Sequence, residues 1–439
     1  MVVAPGGEFR VLARAPARER WSWALYDFAN TIFSMNIATL YFAVWIVTER
    51  GASNTAFSLA TSLSSAVVLF AAPYLGALSD LRRRRKAWVV GLTLACAAAT
   101  ALLHPFGAAS LSPAAATALL LACFAVAHTA YQLALPFYNA MMPELVPESE
   151  QGRLSGLGTA LGYVGSIAGV LAMLPLVRGE WELFGRSGRP AVFLPTALLV
   201  LLFSLPFLLF CRDALPAPHT AARVRPGAIL RGTREALREA RRHRGLIRFL
   251  LASWCYQDAL GTAIAFMAIF AVSVLGLPPG GEATLFIALT VPAVVGSFVA
   301  GRVSDRLGPR RTLVGILLGW TAGLVAVALA PSLPAFWAAG ALLGFVFGGI
   351  GTTERPLLLT LVPDADAGRF FGLLALSGRA AAIVGPLVWA LLVDGLSDRL
   401  GKETAYRVAV ASLALFMVAA IALLRGVPDR NLPSGAARK

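Results

Sequence analysis

Charge is what this chain has least of. Asp, Glu, Lys and Arg make up 14% of its 439 residues, against 58% apolar residues, a balance that soluble domains of this size do not show. Lysine is nearly missing, and arginine carries almost all the basic charge. Cysteine is scarce too. Cys96, Cys123, Cys211 and Cys255 lie far apart in or at the ends of apolar stretches. They show no C-x-x-C and no Cys/His ligand spacing, which argues against a disulfide framework and a metal site. The four histidines, His104, His128, His219 and His243, supply no nucleophile–base pair of the kind a membrane enzyme needs. No G-x-x-x-x-G-K-[ST] loop exists, which excludes a nucleotide-driven pump. The nearest approach, Gly395 to Gly401-Lys402, has the wrong spacing and is followed by Glu403. The first twenty residues have no apolar core before a small-residue cleavage site, so no removable signal peptide is expected.

What the chain has instead is apolar length. Windows of roughly 20 residues, each able to cross about 30 Å of hydrocarbon, fall near 21–48, 56–79, 87–106, 114–142, 153–177, 191–211, 246–275, 283–304, 311–330, 335–361, 369–394 and 405–425. Most of the 38 Lys and Arg fall in the termini and loops of one side. By the positive-inside rule that side, with both termini, faces the cytoplasm. The net charge of +15 is thereby assigned to topology and anionic inner-leaflet headgroups rather than to nucleic acid. The expected class is an all-α, multi-pass protein of the bacterial cytoplasmic (inner) membrane.

The twelve windows form two sets of six, because the chain repeats itself. Residues 145–153 read LVPESEQGR and residues 361–369 read LVPDADAGR. Gly76-x-x-x-Asp80 followed by arginines returns as Gly301-x-x-x-Asp305-Arg306-x-Gly308 followed by Arg310 and Arg311. Trp23-x-x-Tyr26-Asp27 returns more loosely as Trp254-x-Tyr256-x-Asp258. Each pair keeps its order within its half, which points to an internal repeat with a site between the halves. The expected division is an N-terminal bundle over 1–211, a basic linker over 212–245 and a C-terminal bundle with a short tail over 246–439. Within the linker, 227–244 places Ile229, Leu230, Thr233, Leu237 and Ala240 on one stripe among arginines, the pattern of an amphipathic interfacial helix. Glycines at 158, 162, 165 and 169, and at 372, 378 and 385, mark close helix contacts. These serve either tight packing or a sliding surface between halves.

The loop phrases carry a gating mechanism. Gly76, Asp80 and Arg84 lie between the second and third windows, and Gly301, Asp305 and Arg310 between the eighth and ninth. Asp80 is expected against the start of helix eleven near Gly368 and Arg369, and Asp305 against helix five near Gly152 and Arg153. A carboxylate gains about 0.3–1 kcal/mol at a helix N-terminus, and breaking such a pair favours opening on that side. Gly-x3-Asp-Arg-x-Gly-x-Arg-Arg resembles the signature loop of the major facilitator superfamily. The second copy matches well; the first has Leu81 where a base is usual and Arg83 in place of the loop glycine. The resemblance implies a charge relay that latches the cytoplasmic side, and two halves rocking about a cavity lined by helices one, four, seven and ten.

Charges inside the windows are functional candidates by default. Asp258 and Arg379 each lie ten residues beyond a loop arginine, about 15 Å deep at ~1.5 Å per residue. Glu354 and Arg355 precede Pro363 by similar distances. Asp27 lies less deep on helix one. Three acids and two bases predict two ion pairs and one carboxylate left over, suited to carrying a proton. Helix four adds His128, Tyr131 and Gln132 on one face, with Tyr138 and Asn139 further along.

WALYDFAN (23–30), FYNAMMPELVP (137–147), GRLSGLGTALGYVGS (152–166) and GRFFGLLALSGRAAAIVGP (368–386) together resemble a narrower branch. This is the "unknown major facilitator" group, which includes the fungal autophagy-related vacuolar amino-acid effluxers. The resemblance spans nearly the whole chain. It implies export of small solutes, amino acids among them, by a secondary carrier, with a monomer as the family default; no cofactor is expected, and the left-over carboxylate points to a proton as coupling ion. Tyr26, Asp27 and Asn30 match its helix-one motif and Arg379 its helix-eleven base. An uncoupled facilitator, or a lipid or drug transporter on the same fold, is the alternative.

Overall fold

The computed structural model describes residues 15–82, 84–106, 112–213, 234–235, 237–362 and 367–428, apart from the side chains of 77, 80–82, 148, 149, 152 and 367–369. Among these, twelve helices are long and apolar enough to cross a membrane. They are α1 Ala17–Glu49, α2 Asn54–Gly76, α3 Arg85–Phe106, α4 Pro113–Leu145, α5 Arg153–Val177, α6 Arg189–Phe210, α7 Leu246–Leu275, α8 Gly281–Leu307, α9 Pro309–Leu329, α10 Leu333–Leu361, α11 Phe370–Leu400 and α12 Lys402–Arg425. The apolar windows therefore correspond to helices one for one. Hydrocarbon offers backbone groups no partner, so a helix, which satisfies them internally, is the form such windows take.

The connections use ordinary stop and start chemistry. Ser112 caps α4 by accepting from the Ala115 N–H, with Pro113 at the first helical position. Gly308 turns the chain between α8 and α9 at φ 87°, with Pro309 opening the next helix. That backbone conformation strains any residue with a Cβ, which explains the glycine of the second loop copy. Of the amphipathic helix expected over 227–244, residues 234–235 and 237–240 are helical, and 227–233 and 236 lie outside the described residues.

Two helices are irregular where the sequence pattern is continuous. In α1 the stretches Ser34–Leu40 and Trp45–Glu49 are π-helical. Side chains from this stretch tie it to α5 and α6. The buried Asn36 amide donates to the Gly169 carbonyl and to Thr196 Oγ1, both at 3.2 Å, and Tyr41 Oη donates to the Val170 carbonyl at 3.1 Å. In α10 the helix stops at Phe347 and restarts at Ile350, with Gly348-Gly349 as a turn. Gly344 and Gly348 lie directly against the Leu289 and Ala293 carbonyls of α8, and Gly296 of α8 lies against the Phe345 carbonyl; none of the three has room for a Cβ. Small residues permitting backbone contact are the usual means of packing helices in lipid.

The chain forms two compact units: Met1–Ile46 with Val67–Pro226, and Val47–Ala66 with Gly227–Lys439. In unit 1, α1 packs on α5 and α6, and α3 packs on α4 and α6. In unit 2, α7 packs on α11 and α12, and α9 packs on α10 and α12. The second set is the first shifted by six helices, so the repeat seen in short phrases holds for the packing.

The start of α2 is grouped with unit 2, and hydrogen bonds account for this. The Asp394 carboxylate accepts from the Asn54 and Thr55 N–H groups at 3.3 and 2.7 Å. It also accepts from Asn54 Nδ2 and Thr55 Oγ1 at 3.2 and 2.7 Å. An acidic side chain thus caps the N-terminus of α2 alongside the local Ser53, whose Oγ accepts from the Ala56 N–H at 3.1 Å. Further along, Ser62 Oγ donates to the Ile383 carbonyl at 2.9 Å.

Candidate functional site

In unit 1 the WALYDFAN segment is anchored by reciprocal bonds between α1 and α4. Trp23 Nε1 donates to the Tyr138 carbonyl at 3.0 Å, Tyr138 Oη donates to the Trp23 carbonyl at 3.1 Å, and the two rings stack 4.4 Å apart. Tyr26 is buried, with its Oη 2.6 Å from Thr93 Oγ1. Since Thr93 already donates to the Val89 carbonyl, the tyrosine is the donor in this pair. Asp27 is half-buried beside Gly158, where an added Cβ would lie 2.6 Å from Asp27 Oδ2 and 3.5 Å from Tyr138 Oη. Asn30 is buried with no partner for its amide nitrogen. His128 stacks on Phe124 at 5.3 Å and lies 6.4 Å from Tyr131, and Gln132 Nε2 is 3.3 Å from His128 Nε2. The expected polar face of α4 therefore exists for His128, Tyr131 and Gln132. Asn139 is exposed and does not join it.

The glycines of α5 serve packing within unit 1. Gly158, Gly162, Gly165 and Gly169 lie against Asp27, Thr31, Phe28 and Ile32 of α1, which allows the two helices to touch along their length. Thr31 Oγ1 bonds the Gly162 carbonyl at 2.7 Å across this seam.

In unit 2 the two intramembrane acids have different settings. Glu354, four residues into the second segment of α10, meets a row of neutral donors from α7. Ser253 Oγ donates at 2.8 Å, Tyr256 Oη at 2.5 Å and Gln257 Nε2 at 3.3 Å, all to Oε1. Gln257 also reaches Oε2 at 3.3 Å. Charge-assisted bonds of this kind stabilise an ionised carboxylate. Asp258, fully buried on α7, receives one bond to Oδ1, from the Gly385 N–H at 2.8 Å. Among the described residues its Oδ2 has no partner, and neither does buried Thr262 Oγ1 one turn on. The three oxygens converge on one point. A Cβ on Gly385 would sit 2.9 Å from each Asp258 oxygen and would collide with Thr262 Oγ1. Gly385 precedes Pro386, which has no N–H to return to the Ala382 carbonyl.

The expected pairing of these acids with Arg355 and Arg379 does not occur. Arg355 is exposed and Arg379 half-buried, and among the described residues neither forms an ion pair with Asp258 or Glu354. Direction around the helix was misread: α7 presents hydroxyl and amide donors to Glu354 where an arginine was expected. Thr262, Gly385, Ser253 and Gln257 were missed. A signal for the first existed: Asp27-x-x-x-Thr31 and Asp258-x-x-x-Thr262 are the same phrase in the two halves.

Among the described residues neither Asp258 Oδ2 nor the Thr262 hydroxyl, itself a donor as well as an acceptor, has a hydrogen-bond partner. An ionised Oδ2 with no donor is a buried negative charge, at a penalty of several kcal/mol, and protonation removes that charge. Among the described residues no cluster of metal-ligating side chains exists, and all four cysteines are free and buried.

The gate residues are placed singly. Asp305 and Arg153 are exposed, and Arg84 is exposed at the start of α3. Gly76 accepts from Ser79 Oγ at 2.8 Å, and no heavy atom lies within 4 Å of a Cβ built on Gly76 or Gly301. Arg310 Nε donates to the Leu424 carbonyl at 2.8 Å and Arg310 Nη2 to the Arg425 carbonyl at 3.1 Å, so this base caps the end of α12. The side chains of Asp80 and Arg369 lie outside the described residues.

Comparison with known proteins places this geometry among carriers. The family described as "Vacuole effluxer Atg22 like" matches residues 147–431. The MFS-type transporter YxiO of Bacillus subtilis, itself uncharacterised, is 27% identical over 428 residues, covering 93% of this chain and 95% of that protein. Autophagy-related protein 22 of Yarrowia lipolytica is 24% identical over 286 residues, covering 55% of this chain and 46% of that one. The crystal structure of the nucleoside transporter NupG superposes with a TM-score of 0.72 at 14% identity, covering 93% of this chain and 100% of that chain. At that identity it speaks for the fold alone.

Proposed function

Since this chain belongs to the Atg22-like vacuole-effluxer family, a branch of the major facilitator transporters, we propose that it is a proton-coupled secondary carrier exporting a small solute, of the amino-acid class, by alternating access. That it is a membrane transporter and not an enzyme follows from the family. The proposal concerns coupling, direction and cargo. The observation that carries it is Asp258, a fully buried carboxylate with a bare Oδ2 beside a bare Thr262 hydroxyl. A proton-coupled carrier needs a group that is neutral in one state and charged in another, and the buried setting of Asp258 favours the neutral form.

Glu354 has a separate role in this reading. Held by Ser253, Tyr256 and Gln257, it is the acid offered to a substrate ammonium group, with Arg379 available to a carboxylate. Asp80, Arg84 and Arg369, and Asp305, Arg310 and Arg153, form the two cytoplasmic latches. The protein sits as a monomer in the bacterial cytoplasmic membrane, termini inward, its basic loops facing anionic headgroups.

The test is reconstitution into liposomes enclosing a pH-sensitive dye, challenged with an amino-acid panel. Proton flux triggered by one substrate and lost in Asp258→Asn is the expected result. Substrate movement with no proton flux would overturn the coupling and favour an uncoupled facilitator. Silence across the panel, with flux evoked by a lipid or drug, would overturn the cargo class.

A further inference from the structure

At the end of unit 2 that holds the Gly301–Arg311 loop, the chain forms an open cavity of about 780 Å³. Its walls come from the start of α7 and the residues before it, and from the end of α12. The exposed Arg241, Arg244, Arg248 and Arg425 line it together with His243, and among the described residues none of those lining it is acidic. Among the described residues none of the four guanidinium groups forms an ion pair.

The cavity is also stripped of the negative poles that a helix end normally presents. The last carbonyls of α12 would face it bare. Instead Arg310 donates to those of Leu424 and Arg425, and Arg248 Nη1 donates to that of Gly426 at 3.3 Å. The walls are closely fitted. Arg248 lies so tightly over Gly426 that a Cβ there would collide with its Nη1 and stand 2.8 Å from its Cδ and Cζ. Gly245 adopts φ 87° against Pro428, which likewise leaves no room for a Cβ.

Four like charges gathered in one concavity repel one another, and among the described residues that line it none supplies a counter-charge. We propose that the cavity is a binding site for a phosphate-bearing anion, held by several arginine forks at once. Arginine matches the paired oxygens of phosphate with two parallel N–H bonds, which distinguishes such a site from general attraction of basic loops to a charged surface. The phosphate belongs either to an anionic lipid headgroup or to a soluble phosphate ester. The site does not depend on Asp258 or on proton coupling.

The test uses the full-length purified protein at about 150 mM salt, where the screening length is roughly 8 Å and diffuse surface attraction is weak. Thermal melting and native mass spectrometry are followed on adding cardiolipin, phosphatidylcholine, ATP or inorganic phosphate in separate arms. Saturable stabilisation by cardiolipin and not by phosphatidylcholine identifies a headgroup site; saturation by ATP or phosphate identifies a soluble ligand. In either case Arg244→Gln/Arg425→Gln is expected to weaken the apparent Kd at least tenfold, and the single variant Arg241→Gln about threefold. The single variant keeps the test open where the double variant does not fold. Binding by Arg241→Gln and by the double variant equal to that of the unaltered protein, or the absence of saturable binding in all arms, would overturn the proposal. Loss of proton flux in Asp258→Asn bears on transport alone and leaves this site as it stands.

Discussion

The two halves write the same phrase, Asp-x-x-x-Thr, on their first helices and complete it differently. In unit 1 Thr31 donates to the Gly162 carbonyl across to α5, and Asp27 stays half-buried beside Tyr138. In unit 2 Asp258 is fully buried, Thr262 has no partner, and the glycine opposite, Gly385, uses its own N–H on the carboxylate. In one copy the threonine is bonded across the seam; in the other, among the described residues, it is not. Duplication supplied two equivalent seams. On the proposed reading, the difference in burial and in partner direction sets one to hold helices together and leaves the other to change charge.

The glycine contacts between α8 and α10 give the comparison its strongest test. Gly348 lies against the Ala293 carbonyl with no room for a Cβ, whereas nothing lies within 4 Å of a Cβ on Gly76 in α2. Gly348→Leu is expected to destabilise the detergent-solubilised protein by about 3 kcal/mol or more, the upper range for overpacking. Gly76→Leu should stay within ~0.5 kcal/mol. Equal melting temperatures for the two variants would remove the contrast between these seams.

The carboxylates come next. Asp258→Asn is expected to lower substrate-triggered proton flux by about a hundredfold, the scale of losing a proton-transferring side chain. Asp27→Asn should leave protons released per substrate unchanged, because the Thr31 hydroxyl one turn on is already bonded across to α5. Flux lost equally in both variants would mean that the halves share the task, and the asymmetry drawn from burial would be wrong.

Much of this architecture was legible in advance, for a physical reason. Apolar length specifies a membrane helix almost alone, so all twelve were readable from 21–48 to 405–425. The repeated phrases located the loops, and Asp258 and Glu354 were found because a charge in an apolar run is conspicuous. Direction around a helix was not legible. Ser253, Tyr256 and Gln257 occupy one face of α7 toward Glu354, yet their sequence reads as an ordinary polar interruption. The ion pairs expected for Arg355 and Arg379 failed for the same reason. The π-helical stretches of α1 and the turn at Gly348-Gly349 depend on contacts with α5, α6 and α8, which no local pattern in the sequence announces. The capping of α2 by Asp394, some 340 residues away, is equally non-local.

Tyrosine placement sharpens the comparison further. Tyr26 stands one residue before its aspartate and bonds the neutral Thr93; Tyr256 stands two before its aspartate and bonds the Glu354 carboxylate at 2.5 Å. A hydrogen bond to a charged group is worth about 1.5–3 kcal/mol, against roughly 0.5–1.5 for a neutral pair. Tyr256→Phe should therefore lower stability more than Tyr26→Phe, and should also raise the substrate KM if Glu354 binds the cargo. A larger loss for Tyr26→Phe would show that ring packing, not the carboxylate, sets these values.

The smallest effects fall on the threonines, where the two copies should separate by kind of readout. Thr31→Val removes the bond to the Gly162 carbonyl and leaves that acceptor buried, so a loss of about 1 kcal/mol in stability is expected, with the pH profile of transport unmoved. Thr262→Val removes a hydroxyl that has no partner, so stability should hold within ~0.5 kcal/mol. The pH midpoint of transport should move, because the hydroxyl that shares the niche at Gly385 with the Asp258 carboxylate is gone. Stability measured by thermal melting and pH profiles measured in liposomes would then change in opposite members of the pair. If Thr262→Val melted lower and kept its pH profile, unit 2 would hold the same packing joint as unit 1, and Asp258 would lose its claim to the proton.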